Sequence, residues 1–178
     1  MVLLAGGTSV SAATTPAQLE HTLLTTQIPA SELPAGFGSA VIGPAVPSAN
    51  AKSHHVVGEV QVEVNGGAAG LFFAVFPNHA DALADFEHPA PVANKITARL
   101  VPPSWLPKPN EVETGTITGK NAAGRTVSNG ITAASFVDGE VAVGAVTTST
   151  AGSTKGDSAG TLALARFAIE YLKKLESA

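Results

Sequence analysis

The sequence predicts an α+β domain: one antiparallel sheet of about five to seven strands, with helices packed on one or both faces. Three observations carry this. Several short runs alternate apolar and polar residues, which is the period of a strand. Turn residues such as Asn65-Gly66-Gly67 and Asp138-Gly139 separate neighbouring runs, so adjacent strands return as hairpins. Helical spacing of apolar residues follows Thr15, Asn78 and Asp157.

Thr15-Pro16 opens the first helix, because Thr caps and Pro suits the first helical position. Leu19, Leu23 and Leu24 mark its inner face, and it should end near Thr26. Leu33-Pro34-Ala35-Gly36-Phe37 then turns the chain into a strand over 37–43. Residues 43–53 carry Pro, Ser and Asn without periodicity and read as a loop. From His55 to Val64, Val56, Val60, Val62 and Val64 fall on one face, with Val57, Glu59, Gln61 and Glu63 on the other. The run Leu71 to Phe76 is apolar on both faces, which places it centrally in the sheet. Asn78 with Asp81 starts a helix running to about Glu87, with Ala80, Leu83 and Phe86 or Ala84 turned inward.

Six prolines follow between 89 and 110, and Val92 to Val101 reads equally as a short helix or a strand. Val112 to Thr118 and Ile131 to Val137 are strands, with a turn at 121–124 and Thr126-Val127 opening the return. Asp138-Gly139 turns into the partner strand, Glu140 to Thr148. Asp157 caps a last helix from Ser158 to about Leu175, with an apolar stripe of Leu164, Phe167, Ala168, Tyr171, Leu172 and Leu175. Residues 55–88 and 131–175 thus share one order, strand–turn–strand–loop–helix, which reads as a loose internal repeat or as a common way to build this class.

Composition narrows the function. The 178 residues suit a single domain, with 44% hydrophobic and only 13% charged residues against the ~25% usual in globular proteins. That excludes a coiled coil or a charged disordered tail. The absence of cysteine excludes a disulfide scaffold, a thiolate metal centre and a cysteine nucleophile. A net charge of −4 leaves no basic footprint for a nucleic acid, and no run of apolar residues is long enough to span a membrane. Residues 1–90 hold one base against seven acids, whereas 91–178 hold nine bases against seven acids, an asymmetry that could steer a cationic ligand or self-association, or be ordinary scatter. The opening residues combine an apolar run, Val2 to Ala5, with small residues ending Ser11-Ala12-Ala13, so 1–12 read as the remnant of an export signal and 13–178 as the domain. A secreted, periplasmic or cell-surface location is the expectation.

The segments Leu24-Thr25-Thr26 … Glu32-Leu33-Pro34-Ala35-Gly36-Phe37 and Ser135-Phe136-Val137-Asp138-Gly139-Glu140-Val141-Ala142-Val143, the latter followed by an Ala/Leu-rich helix, cover about a quarter of the chain. They resemble small exported bacterial α+β domains, including sensor-type lipoproteins with a PsbP/Mog1-like sheet. The resemblance implies a ligand-binding, sensing or accessory role outside the cytoplasm, and it transfers no catalytic residue.

Three constellations are candidates for chemistry. Gly156-Asp157-Ser158-Ala159-Gly160 matches both a nucleophile elbow and a serine-protease box. No His follows His88 in the chain, and the residues after Ser158 read as one helix, so a capping role for Asp157 or Ser158 fits better. Asp81, Asp85 and His88 share one helix face and could ligate a divalent metal, with His54 and His55 as further donors; a solvated helix face explains the same pattern. Phe72, Phe76, Trp105 and Tyr171 are the aromatic candidates for lining an apolar ligand site, with Trp105 either its lid or the residue packing the Pro-rich loop onto the sheet. No Walker A or dinucleotide fingerprint is present. The leading expectation is a non-catalytic exported domain that binds a small apolar ligand or a partner protein. The alternatives are a small hydrolase or isomerase using His and Asp of 54–88, and a structural or assembly subunit that self-associates.

Overall fold

A computed structural model describes residues 14–26, 28–37, 41–42, 58–64, 69–86, 95–120, 123–149, 153 and 155–177. The predicted export remnant, the loop after residue 43, the first hairpin turn, His54, His55 and His88 lie outside these residues.

Helix α1 spans Pro16–Thr25. Its N-terminus is a full capping box: Thr15 accepts from the Gln18 backbone, and the Gln18 side chain accepts from the Thr15 N–H. Among the described residues seven strands follow: β1 Val41–Ile42, β2 Gly58–Val64, β3 Ala69–Val75, β4 Lys95–Leu100, β5 Asn110–Lys120, β6 Thr126–Asp138 and β7 Val141–Thr148. They form one sheet in the order β1-β2-β3-β7-β6-β5-β4, with every neighbouring pair antiparallel. Helix α2, His79–Phe86, lies between β3 and β4 in the chain, and helix α3, Ser158–Glu176, closes it. The sheet is thus two meanders, β1 to β3 and β4 to β7, joined where β7 docks on β3.

Side-chain alternation divides the sheet cleanly. Leu71, Phe73 and Val75 of β3, Val141, Val143 and Ala145 of β7, and Phe136 of β6 point to one face. There they meet Leu19 and Leu23 of α1 and the predicted stripe of α3. Phe73, Phe136, Leu71, Leu164 and Leu172 are fully buried, and each side chain of this kind contributes roughly 1.5–3 kcal/mol to the core. The other face carries the alternate residues. Ala74 and Ala142 meet Phe76, Ala82, Leu83 and Phe86 at α2, while Phe72 and Ile117 pack with Ile131, Ala133 and Val146. The ring of Phe72 lies over Gly144, its cross-strand partner, where a Cβ would sit 3.6 Å from the ring.

The α+β class, the antiparallel sheet and the central place of Leu71 to Phe76 follow the sequence reading. One open reading is settled and three details differ. Of Val92 to Val101, read as either a helix or a strand, the described part Lys95–Leu100 is strand β4. Thr126-Val127 and Ile131 to Val137 are parts of one strand of 13 residues, because Thr126 to Phe136 pair with β5 without a break. Ala80 is exposed and Ala82 is buried, because α2 seats its Ala82 and Leu83 side against Phe76 and Val137. The two strand–turn–strand–helix units also pack differently, with α2 and α3 on opposite faces of the sheet. Their shared order reflects local hairpin chemistry rather than a repeated core.

Candidate functional site

The start of α3 is built onto the sheet through threonines and a glycine. Thr132 of β6 and Thr147 of β7 are cross-strand partners, and both are buried, as is Thr161 in the first turns of α3. The hydroxyls of Thr147 and Thr161 lie 2.6 Å apart, and both reach the Asp157 carbonyl, at 2.9 and 2.8 Å. These are hydroxyl contacts to the N-cap carbonyl of α3, so the helix is anchored without burying a charge. Gly156 lies directly on Thr132: a Cβ there would be 2.1 Å from Thr132 Oγ1 and 2.8 Å from the Ile131 carbonyl oxygen. Asp157 then caps α3, its Oδ1 accepting from the Gly160 N–H at 2.9 Å. A Cβ on Gly160 would come 2.2 Å from Asp157 Oδ2.

This accounts for the Gly156-Asp157-Ser158-Ala159-Gly160 box. The first glycine permits close approach to β6, the aspartate caps, and the last glycine leaves room for the cap. Ser158 is simply the first residue of α3.

Beside this junction is a pocket of about 470 Å³. Three parts of the chain wall it. Asp157, Ala159, Gly160 and Ala163 come from the start of α3; Ala69, Thr147 and Thr148 come from the ends of β3 and β7; Ala35, Gly36 and Phe37 come from the turn after α1. That turn is fixed by sequence. The Phe37 N–H donates to the Pro34 carbonyl at 3.2 Å, and Gly36 adopts φ +95°, the third position of a type II turn. A side chain at Gly36 would be strained there, so glycine is what places Phe37 at the pocket. The surfaces facing the pocket are mostly methyl groups, glycine backbone and one phenyl ring. Asp157 is the one ionisable side chain among the described residues that line it.

The aromatic residues expected to form a ligand site do not converge. Phe72 and Phe76 belong to the α2 side of the sheet, and Tyr171 belongs to the α1/α3 side, stacked on Phe167 with ring centroids 5.7 Å apart. Trp105 is 36% exposed, with the Arg166 guanidinium of α3 4.6 Å above its ring. The anchor of that Pro-rich segment is its neighbour Leu106, which is buried in the main core. Asn110 ties the segment down by donating to the carbonyls of Leu106 and Pro107. The sequence reading missed the pocket walls because they come from residues 35–37 and 157–163, far apart in the chain. The one local signal was the pair of glycines flanking Asp157.

The expected metal ligands are placed as follows. Asp81 is engaged at the start of α2, where its carboxylate accepts from the Asn78 amide at 2.8 Å while its N–H donates to Asn78 Oδ1 at 3.0 Å. Asp85 is further along α2, and His88 lies outside the described residues. Among the described residues no three His, Asp or Glu side chains are grouped to hold a metal ion. His79 bonds through Nδ1 to the Gly139 carbonyl, which joins α2 to the β6–β7 hairpin.

Two carboxyl groups with shifted affinity for protons lie away from the pocket. Burial, then the neighbouring Glu111, holds the Glu113 carboxyl above the usual carboxylate range, while Arg99 pulls the other way. The Arg99 Nε is 2.7 Å from Glu111 and 3.3 Å from Glu113, clamping the edge strand β4 to β5. Burial, then Asp138 and Glu140, raises Glu176 at the end of α3. Burial, then Glu32, raises the Tyr171 phenol, whose hydroxyl has no hydrogen-bond partner among the described residues.

No family model, curated protein or solved structure matches the chain. Among the described residues no helix is long and apolar enough to cross a membrane.

Proposed function

We propose that the chain is a non-catalytic binding domain that takes a small, largely apolar ligand in the pocket between the Gly36 turn, the ends of β3 and β7, and the start of α3. The observation that supports this is the wall itself. It is concave, about 470 Å³, within the range of small-molecule sites, and nearly free of ionisable groups. Acid–base catalysis needs a matched proton donor and acceptor at one place. Among the described residues the single lining carboxylate already serves as a helix cap. Export to the periplasm or cell surface belongs to the same proposal and draws on the small and apolar residues of 1–12. A sensing or accessory role follows from binding without turnover.

The test uses Nile red, a neutral apolar dye, with the full chain and with Ala163→Trp, which projects an indole into the pocket. The parent should enhance dye emission saturably at one site. The variant should lose that enhancement while keeping its circular dichroism spectrum and melting temperature. Equal dye binding by the two folded proteins would remove the pocket as the site.

A further inference from the structure

The pocket's charge and shape narrow the ligand class, an argument that rests on the binding reading above. Start with the helix terminus. An uncapped α3 would present its first N–H groups and a partial positive charge, which attract anions. In this chain that place is taken: Asp157 Oδ1 accepts the Gly160 N–H at 2.9 Å, and the Asp157 carbonyl receives the Thr147 and Thr161 hydroxyls. A full carboxylate charge outweighs the half charge of the helix end, so the rim is net negative. No Lys or Arg is found among the described residues lining the pocket to offset it.

The seat of that carboxylate is itself built. Asp157 Oδ2 occupies space that a Cβ at Gly160 would enter, at 2.2 Å, and among the described residues no donor bonds to it. Asp157 thus offers an acceptor at the pocket wall. Shape adds a second constraint. The α3 wall at Ala159 and Ala163 is only one methyl deep, and the turn contributes the Phe37 ring. Short side chains beside an aromatic residue suit a planar partner, since aromatic rings gain from offset stacking beyond their buried area.

We infer that the pocket selects a planar aromatic ligand carrying a positively charged group, held by Phe37 and the alanine wall, with Asp157 as the partner of that charge. Three probes sharing one ring separate shape from charge: tryptamine, indole and indole-3-acetate. Each is titrated to millimolar concentration against the full chain by ligand-observed NMR, with displacement of Nile red as a second readout. Tryptamine should bind about tenfold more tightly than indole-3-acetate, with indole between them. The gap should narrow at high salt. In Asp157→Asn it should collapse while indole binding stays constant, because Asn caps a helix as well as Asp does. Equal affinity of all three for the parent would overturn the charge rule and leave the pocket standing. Nile red bound in an Ala163→Trp-sensitive way but displaced by none of the rings would overturn the aromatic class. Dye binding insensitive to Ala163→Trp would remove the pocket, and this inference with it.

Discussion

Substituting Gly156 and Gly160 one at a time tests whether the start of α3 is set by close approach to the sheet. The two glycines lie four residues apart in the same box, yet their surroundings differ. In Gly156→Ala the new methyl would be 2.1 Å from Thr132 Oγ1, 2.8 Å from the Ile131 oxygen and 2.9 Å from the Ile131 carbon. Two of those contacts are strand backbone and the third is a fully buried side chain, so none can rotate aside. The helix start must lift away, straining the Thr147 and Thr161 bonds to the Asp157 carbonyl. Overpacking of this kind costs about 1–3 kcal/mol, and the severity here argues for the upper end. For a chain of this length, about 3 kcal/mol lowers the melting temperature by roughly 6–12 °C. Gly160→Ala presses only on the far end of the Asp157 side chain, which can swing out. It loses a cap worth about 1 kcal/mol but gains about 1 kcal/mol of helix propensity, so the net change is near zero. Urea unfolding followed by circular dichroism reads both. Thr132→Ala added to Gly156→Ala should recover part of the loss, leaving the Ile131 contact, with a coupling of about 1 kcal/mol. If Gly156→Ala lies within about 0.5 kcal/mol of the parent, the typical scatter of innocuous substitutions, the close-approach argument is wrong.

Tyr171→Phe removes a buried hydroxyl that lacks a partner among the described residues and should raise stability by about 1 kcal/mol in the same urea assay. Tyr171 is the sole tyrosine, and its phenol is raised above 10.0, so above that pH the unfolded chain gives up a proton that the folded chain keeps. Stability should therefore fall as pH rises past 10, and Tyr171→Phe should flatten that fall. Glu176 is also raised, so the folded state holds its proton more tightly and stability declines as pH rises through and above 4.5. Melts of Glu176→Gln should match the parent at pH 3 and exceed it at pH 7. Arg166→Ala uncovers the only tryptophan, so acrylamide should quench Trp105 more strongly while the melting temperature barely moves; unchanged quenching would break the Arg166–Trp105 assignment.

Much of the fold was legible because its signals are local. A capping box needs only Thr15 and Gln18, and a hairpin needs only Gly139, at φ +58°, between two alternating runs. The both-faced apolar run at Leu71 to Phe76 indicated a covered central strand without reference to any neighbour. What stayed hidden depends on distant partners. Period 2 reports that two faces of a strand differ, not which helix lies on which face, so the opposite placement of α2 and α3 could not be read. The inner side of α2 turned on Phe76 and Val137, the latter more than fifty residues away in the chain, and Ala80 was chosen where Ala82 is buried. Phe72, Phe76 and Tyr171 were grouped by residue type, whereas side-chain alternation separates them by the thickness of the sheet.

The position of the pocket follows from the same topology. In a parallel α/β sheet, strand ends converge on helix starts and ligands bind there by default. An antiparallel meander offers no such edge, because alternate strands end at opposite sides. This chain makes an equivalent at one place: the start of β3, the end of β7 and the start of α3 meet at Ala69, Thr147 and Asp157. The α3 side of that junction is held by buried hydroxyl bonds and a glycine contact, so it can move little. The opposite side is the short turn whose geometry depends on Gly36. A rigid floor facing a turn of fixed shape is a preorganised site, and preorganisation reduces the entropy lost on binding without adding contacts. The binding domain proposed above would draw its selectivity from this arrangement rather than from many charges. Its one carboxylate among the described lining residues, engaged as the α3 cap, would then be the charge that distinguishes ligands on a mostly apolar wall.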